Sequence, residues 1–225
     1  MLSTRLKAAS KQANISSLTY VSNNSTDRAS SSTAFTYTAQ NIGTANSNRI
    51  VIVGVGLFNA GSAVASISSL TVGGNTATSI VDNLFNFSAT RVAIYAIAVS
   101  SGSTADIVVN LSGNATTCGI GVYSMVSSSL TVTASNTASA GIVTGTSVST
   151  NITTNLDAAV VGFLYGVNNG ATTWTGLTED FDIDTRSTEN FSGAKLYPST
   201  TSGSLTVSAT KASGQAGGLA IASWN

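Results

Sequence analysis

From Ser17 onward, β-branched and aromatic residues gather in short runs separated by clusters of glycine, asparagine and serine. This is the signature of strands and turns rather than helices. Three runs are apolar on both faces: Arg49-Ile-Val-Ile-Val-Gly-Val-Gly-Leu-Phe58, Arg91-Val-Ala-Ile-Tyr-Ala-Ile-Ala-Val99 and Ala158-Ala-Val-Val-Gly-Phe-Leu-Tyr-Gly-Val167. They predict central strands covered on each side. Ser66-Ile-Ser-Ser-Leu-Thr-Val72 and Ser204-Leu-Thr-Val-Ser-Ala-Thr210 alternate instead, which predicts one wet face each. The pattern predicts strands near 17–22, 33–39, 49–58, 66–72, 76–81, 91–99, 105–111 and 117–126, then near 130–137, 146–152, 158–167, 172–178, 192–197, 204–210 and 217–224. The fold class is therefore all-β, an antiparallel β-sandwich of jelly-roll type.

The chain also repeats itself once, in order. Ser17-Leu-Thr-Tyr-Val-Ser-Asn23 matches Ser129-Leu-Thr-Val-Thr-Ala-Ser135, and Arg49 to Gly61 matches Ala158 to Gly170. Ser101 to Asn110 matches Thr201 to Ala209, and Cys118-Gly-Ile-Gly-Val-Tyr-Ser124 matches Gly217-Gly-Leu-Ala-Ile-Ala-Ser223. The halves are 17–126 and 129–225, either as two tandem sandwiches or as two halves interleaved into one. The lack of a proline-rich or charged linker between them favours the second arrangement.

Residues 1–16 differ in character from the remainder of the chain. They hold Arg5, Lys7 and Lys11 and no acid, and Leu2, Leu6, Ala9 and Ala13 share one helical face. The expected organisation is an N-terminal arm at 1–16 ahead of a β-domain at 17–225, with Leu2, Arg5, Leu6 and Lys7 as the residues that dock on a partner.

Charged residues make up 8% of the 225, against about a quarter in an ordinary domain. Serine and threonine take their place, so the surface is one of hydroxyls and amides. A net charge of +0 argues against nucleic acid, which needs a concentrated basic face. Every apolar stretch is interrupted well short of a membrane span, so no membrane partner is expected. No apolar core follows the basic residues at the N-terminus, so the reading is cytoplasmic synthesis without a signal peptide. Histidine is absent, which removes the usual general base and the commonest metal ligand.

The remaining chemistry is thin. Four of the nine acids lie in Glu179-Asp-Phe-Asp-Ile-Asp184. On an extended strand Asp180, Asp182 and Asp184 would face one way, as hard ligands for calcium would need. The spacing is not that of an EF-hand loop, and a solvated acidic edge that deters strand addition is the preferred reading. On that reading, Asp182→Asn changes stability by no more than about 0.5 kcal/mol. No serine has a base beside it in the context a nucleophile requires, so the chain is read as no enzyme and as having no cofactor. Gly54, Gly56, Gly119 and Gly121 lie inside β-runs and serve close packing or bulges rather than phosphate binding. Tyr165 and Trp174 flank the turn Asn168-Asn-Gly170 and are the glycan candidates, although tryptophan in such a fold is more often a core or interface anchor. Cys118, the single cysteine, reads as a buried small hydrophobe.

Several strings together resemble a family of Ser/Thr/Gly-rich β-sandwich virion proteins of tailed bacteriophages. They are Ser47-Asn-Arg-Ile-Val-Ile-Val-Gly-Val55, Ile67-Ser-Ser-Leu-Thr-Val-Gly-Gly74, Cys118 to Tyr123, Thr173-Trp-Thr-Gly-Leu-Thr-Glu179 and Ala222-Ser-Trp224. The resemblance runs from about Ser17 to Trp224 and leaves the arm outside it. It implies a non-enzymatic structural protein at the virion surface, of capsid decoration or tail appendage type, which binds other virion proteins and forms a homo-oligomer. The alternative is a tail-fibre or tail-tip adhesin module that binds host surface glycan.

Overall fold

The computed structural model describes residues 15–60, 63–85, 89–141, 144–167, 170–186 and 188–225. Among these the regular elements are all strands, paired antiparallel. Strands β1 (Ile15–Asn41), β2 (Arg49–Phe58), β3 (Ile67–Val72), β4 (Asn75–Thr76), β5 (Thr78–Phe85), β6 (Thr90–Ala98) and β7 (Thr104–Ser127) make a seven-stranded sheet. Its order is β4-β3-β7-β2-β6-β5, with β1 on β7. Strands β8 (Asn136–Gly141), β9 (Ser147–Thr154), β10 (Ala159–Val167), β11 (Thr172–Thr175), β12 (Thr178–Arg186), β13 (Glu189–Leu196), β14 (Gly203–Lys211) and β15 (Gln215–Trp224) make two more. These are ordered β12-β13-β10-β15-β8 and β11-β14-β9.

The wiring occurs twice. In the first half β7, β2, β6 and β5 lie side by side, and in the second β15, β10, β13 and β12 do so. The registers agree as well: Ser124 lies opposite Val51, and Ser223 lies opposite Val160. Strands β1 and β7 are long because each serves twice. Ile15 to Asp27 pairs with Thr117 to Ser127, whereas Ala34 to Asn41 pairs with Thr104 to Asn110. Register shifts between Asp27 and Ala34 mark where the ladder breaks. The second half divides the same work between β8 on β15 and β9 on β14. Among the described residues, strand pairs form within 15–127 or within 136–224, and side-chain packing joins the two groups.

Three apolar layers explain why the central runs carry no polar stripe. Val51, Val53 and Val55 of β2 pack with Phe35, Leu70, Val72, Ile107 and Val109 inside the first half. Val160 and Leu164 of β10 pack with Ile152, Trp174, Val207 and Ala209 inside the second. The alternate residues Ile50 and Ile52 meet Val161, Phe163, Phe181 and Phe191 between the halves. Strands β2, β6 and β10 are thus buried on both faces, as their sequence predicts. The result is a β-sandwich-like, all-β molecule.

Glycines set the distance between the halves. A Cβ on Gly56 would lie 2.3 Å from the Tyr165 ring, and one on Gly121 would lie 2.4 Å from the Phe181 ring. In the other direction Phe85 of β5 covers Gly141 and Gly218. Polar ties flank this layer: Asn83 donates to Ser139 at 2.6 Å, and Tyr197 donates its hydroxyl to the Ile15 carbonyl at 2.6 Å.

Three expectations differ from the structure. The segment expected as a strand near 130–137 is not one until Asn136. Its Thr131, Thr133 and Ser135 alternate with half-buried Val132 and Ala134, but the ladder to β15 reaches it only at its end, where the Ser135 N–H donates to the Ser223 carbonyl at 2.8 Å. The acidic stretch, by contrast, lies in strand β12, because Phe181, Ile183 and Thr185 supply an inward face that the acids mask. Strand β1 opens at Ile15, so Ile15 and Ser16 of the expected arm belong to the sheet. Leu2, Arg5, Leu6 and Lys7 lie outside the described residues.

Candidate functional site

Strand β12 is an edge strand, and its three aspartates go to different places. A register shift between Glu179 and Phe181 breaks the alternation that would have aligned them. Asp180 accepts a hydrogen bond from the Tyr123 hydroxyl of the first half at 3.0 Å and pairs with Lys195. Asp182 accepts from the Thr172 backbone N–H at 2.7 Å and from Asn190 Nδ2 at 2.6 Å, tying β12 to β11 and β13. Asp184 is exposed. No group of three or more acidic, cysteine or histidine side chains among the described residues is placed to hold a metal ion. The expected solvated edge is therefore corrected in part: Asp180 and Asp182 are half-buried and act as structural acceptors.

The glycan candidates are corrected too. Tyr165 is fully buried between the halves, with its hydroxyl 3.0 Å from Thr185 Oγ1. Burial pushes its phenol well above the ordinary range. Trp174 lies in the core of the second half, donates Nε1–H to Ser192 at 2.8 Å and rests against Gly162. Neither ring presents a face on which a sugar could stack. Both are large apolar groups with a single polar atom, and each finds its partner inside. Trp224 is likewise buried and donates to the Val132 carbonyl at 3.0 Å.

A concavity that sequence reading missed lies at one end of the first half, with a volume of about 410 Å³. Ser17, Thr19 and Val21 of β1 and Ser124 and Val126 of β7 form one side, and the loop from Asn41 to Asn46, with Ser103, forms the other. The loop is held from behind by Arg49, which is fully buried. Its guanidinium donates to the carbonyls of Val99 at 2.7 Å, Gly43 at 2.5 Å and Ser101 at 2.7 Å. Desolvation lowers the Arg49 pKa, but a guanidinium starts so far above neutrality that it stays charged at neutral pH. The lining comes from four separated segments, and no motif joins them.

Among the described residues, no helix is long and apolar enough to cross a membrane. No family model, curated protein or solved structure matches the chain.

Proposed function

We propose that the protein is a non-enzymatic structural component of a tailed-phage virion, a capsid decoration or accessory surface protein that binds other virion proteins in several copies. The observation that carries this reading is the pairing of a rigid, twice-used β-architecture with an almost uncharged exterior. Thr173, Thr175, Thr206, Thr210, Ser149 and Asn151 all lie exposed on the sheet β11-β14-β9. Such a surface repels neighbours weakly and suits dense packing beside other proteins. The resemblance of the sequence strings to phage virion proteins supports it. Trp174 and Leu177 of the most distinctive string are core residues, so that string reports an architecture rather than a site. In finer terms, each half reads as a jelly-roll-type sandwich, and the matched registers support descent from a duplicated unit. The N-terminal residues are read as a docking arm.

The test is to purify particles from the phage that encodes the chain, and to measure its copy number by quantitative mass spectrometry. Many copies per particle are expected, and absence from particles ends the reading. A truncation should remove residues 1–14 and keep Ile15, which packs between the halves. It is expected to leave a folded protein that no longer loads. Normal loading would move docking from the arm to the sheets.

A further inference from the structure

The duplication supplies an internal comparison. Ser124 and Ser223 hold equivalent registers on β7 and β15, opposite Val51 and Val160. Ser223 is fully buried and donates its hydroxyl to the Thr153 carbonyl at 3.2 Å. The Ser124 hydroxyl makes no hydrogen bond among the described residues, and it opens on the 410 Å³ cleft. Its cross-strand neighbour there is Thr19, whose hydroxyl also makes none among the described residues. The same is true of the hydroxyls of Ser17, Thr44 and Ser103 on the cleft walls.

We propose that this cleft binds a neutral saccharide of one or two rings. Its size lies within the range of small-molecule sites. A pyranose offers hydroxyls that both donate and accept, which serine and threonine match, and C–H faces for which Val21 and Val126 supply contact. Among the described residues no charged side chain lines the cleft, so nothing there selects a phosphate or carboxylate, and no aromatic ring is present to stack on a nucleobase. The opposite wall is set before any ligand arrives. Asn41 donates to the Val21 carbonyl at 3.3 Å and accepts from the Gly43 N–H at 2.9 Å, while Arg49 holds the Gly43 carbonyl. Such preorganisation reduces the entropy lost on binding. Without an aromatic platform the single-site affinity is in the millimolar range, and an oligomer would raise it through multivalency. The inference does not rest on the virion reading and is tested on the purified chain.

The experiment is an amide-resolved NMR titration of the full chain with glucose, galactose, mannose and N-acetylglucosamine. At least one sugar is expected to shift the amides of Thr19, Gly43, Thr44 and Ser124, saturating with a Kd of about 1–20 mM. Thr19→Val keeps the shape of an exposed strand residue and removes its hydroxyl, and Ser124→Ala removes the hydroxyl on the cleft floor. Each should weaken binding at least about 5-fold, a difference of roughly 1 kcal/mol. Ser149→Ala, on an outer sheet, should not weaken it. The proposal is overturned if none of the four sugars shifts these amides. It is equally overturned if shifts spread over the surface without saturating, or if Thr19→Val responds like the parent.

Discussion

The ring of Phe163 occupies the space that a side chain on Gly54 would need: a Cβ there would lie 2.2 Å from Cε1. Gly54 is on β2 and Phe163 on β10, so the central strands of the two halves meet at this contact. Opposite Gly54 on β7 is Gly121, where a Cβ would come within 2.9 Å of the same ring. Two adjacent glycines thus form the seat for one phenyl group.

Gly54→Ala is expected to destabilise the protein by about 1–3 kcal/mol, because the ring has nowhere to go. It stacks on Phe191 at 5.7 Å and meets Tyr123 edge-on at 5.6 Å. Pairing the substitution with Phe163→Leu should recover part of the loss, which urea unfolding of the four proteins of the cycle would measure. A Gly54→Ala protein as stable as the parent would mean that the halves do not touch at this point.

Arg49 is a buried cation whose hydrogen-bond partners are three backbone carbonyls. Lysine keeps the charge but has no planar fork, so it cannot reach the Val99, Gly43 and Ser101 carbonyls together. Arg49→Lys should cost about 2–4 kcal/mol, since carbonyls and a charge are left buried without partners. Hydrogen exchange should quicken first at Gly43 and Ser101. Unchanged protection in both loops would show that the guanidinium does not hold them.

How much of this was legible in the sequence depended on whether one strand's own residues carried the signal. Val51 and Ile52 belong to different cores, yet both are apolar, so the run around them could be placed at a sheet centre without knowing either partner. Gly54 and Gly56 could be assigned to close packing for the same reason. Strand β12 was hidden because Asp180, Asp182 and Asp184 lower strand propensity while Phe181 and Ile183 carry the periodicity. The partners of Asp182 and Trp174 lie on other strands and left no local trace. Thr19 and Ser124 meet only through a pairing that joins the ends of the first half.

Asp182→Asn carries a different expectation in the folded protein from the one its sequence suggests. The new amide can still accept from the Thr172 N–H, but its own NH2 would face that of Asn190, or else turn toward the Thr172 N–H. The expected loss is about 1–3 kcal/mol, independent of added calcium. Thermal unfolding with and without calcium separates the two ideas. A large calcium-dependent rise in Tm in the parent, lost on substitution, would restore the metal reading.

Alkaline pH should unfold the protein cooperatively. Burial raises the Cys118 thiol from its ordinary 9.0 to about 12, and it holds the phenols of Tyr37, Tyr123 and Tyr165 above their ordinary 10.0. For Tyr123 the neighbouring Asp180 carboxylate adds to the effect of burial. In each case the fold favours the protonated form, so stability is complete below the unfolded-state value and falls as pH rises beyond it. The decline is at most about 1.4 kcal/mol per pH unit for each group. Cys118 contributes between pH 9 and pH 12, and the tyrosines contribute from pH 10 upward. The contributions of the thiol and the three phenols have the same sign and add, so the decline steepens once pH passes the ordinary tyrosine range. Tyrosinate absorbance should therefore appear in step with loss of the β-sheet circular dichroism. Cys118→Ala should flatten the decline between pH 9 and 10, below the ordinary range of the tyrosines, where buried Lys211 works against the thiol because its lowered pKa makes the fold favour the neutral amine. Ionisation of all these tyrosines near pH 10 with the sheet signal intact would show that solvent reaches both the core of the first half, which holds Tyr37, and the layer between the halves, which holds Tyr123 and Tyr165.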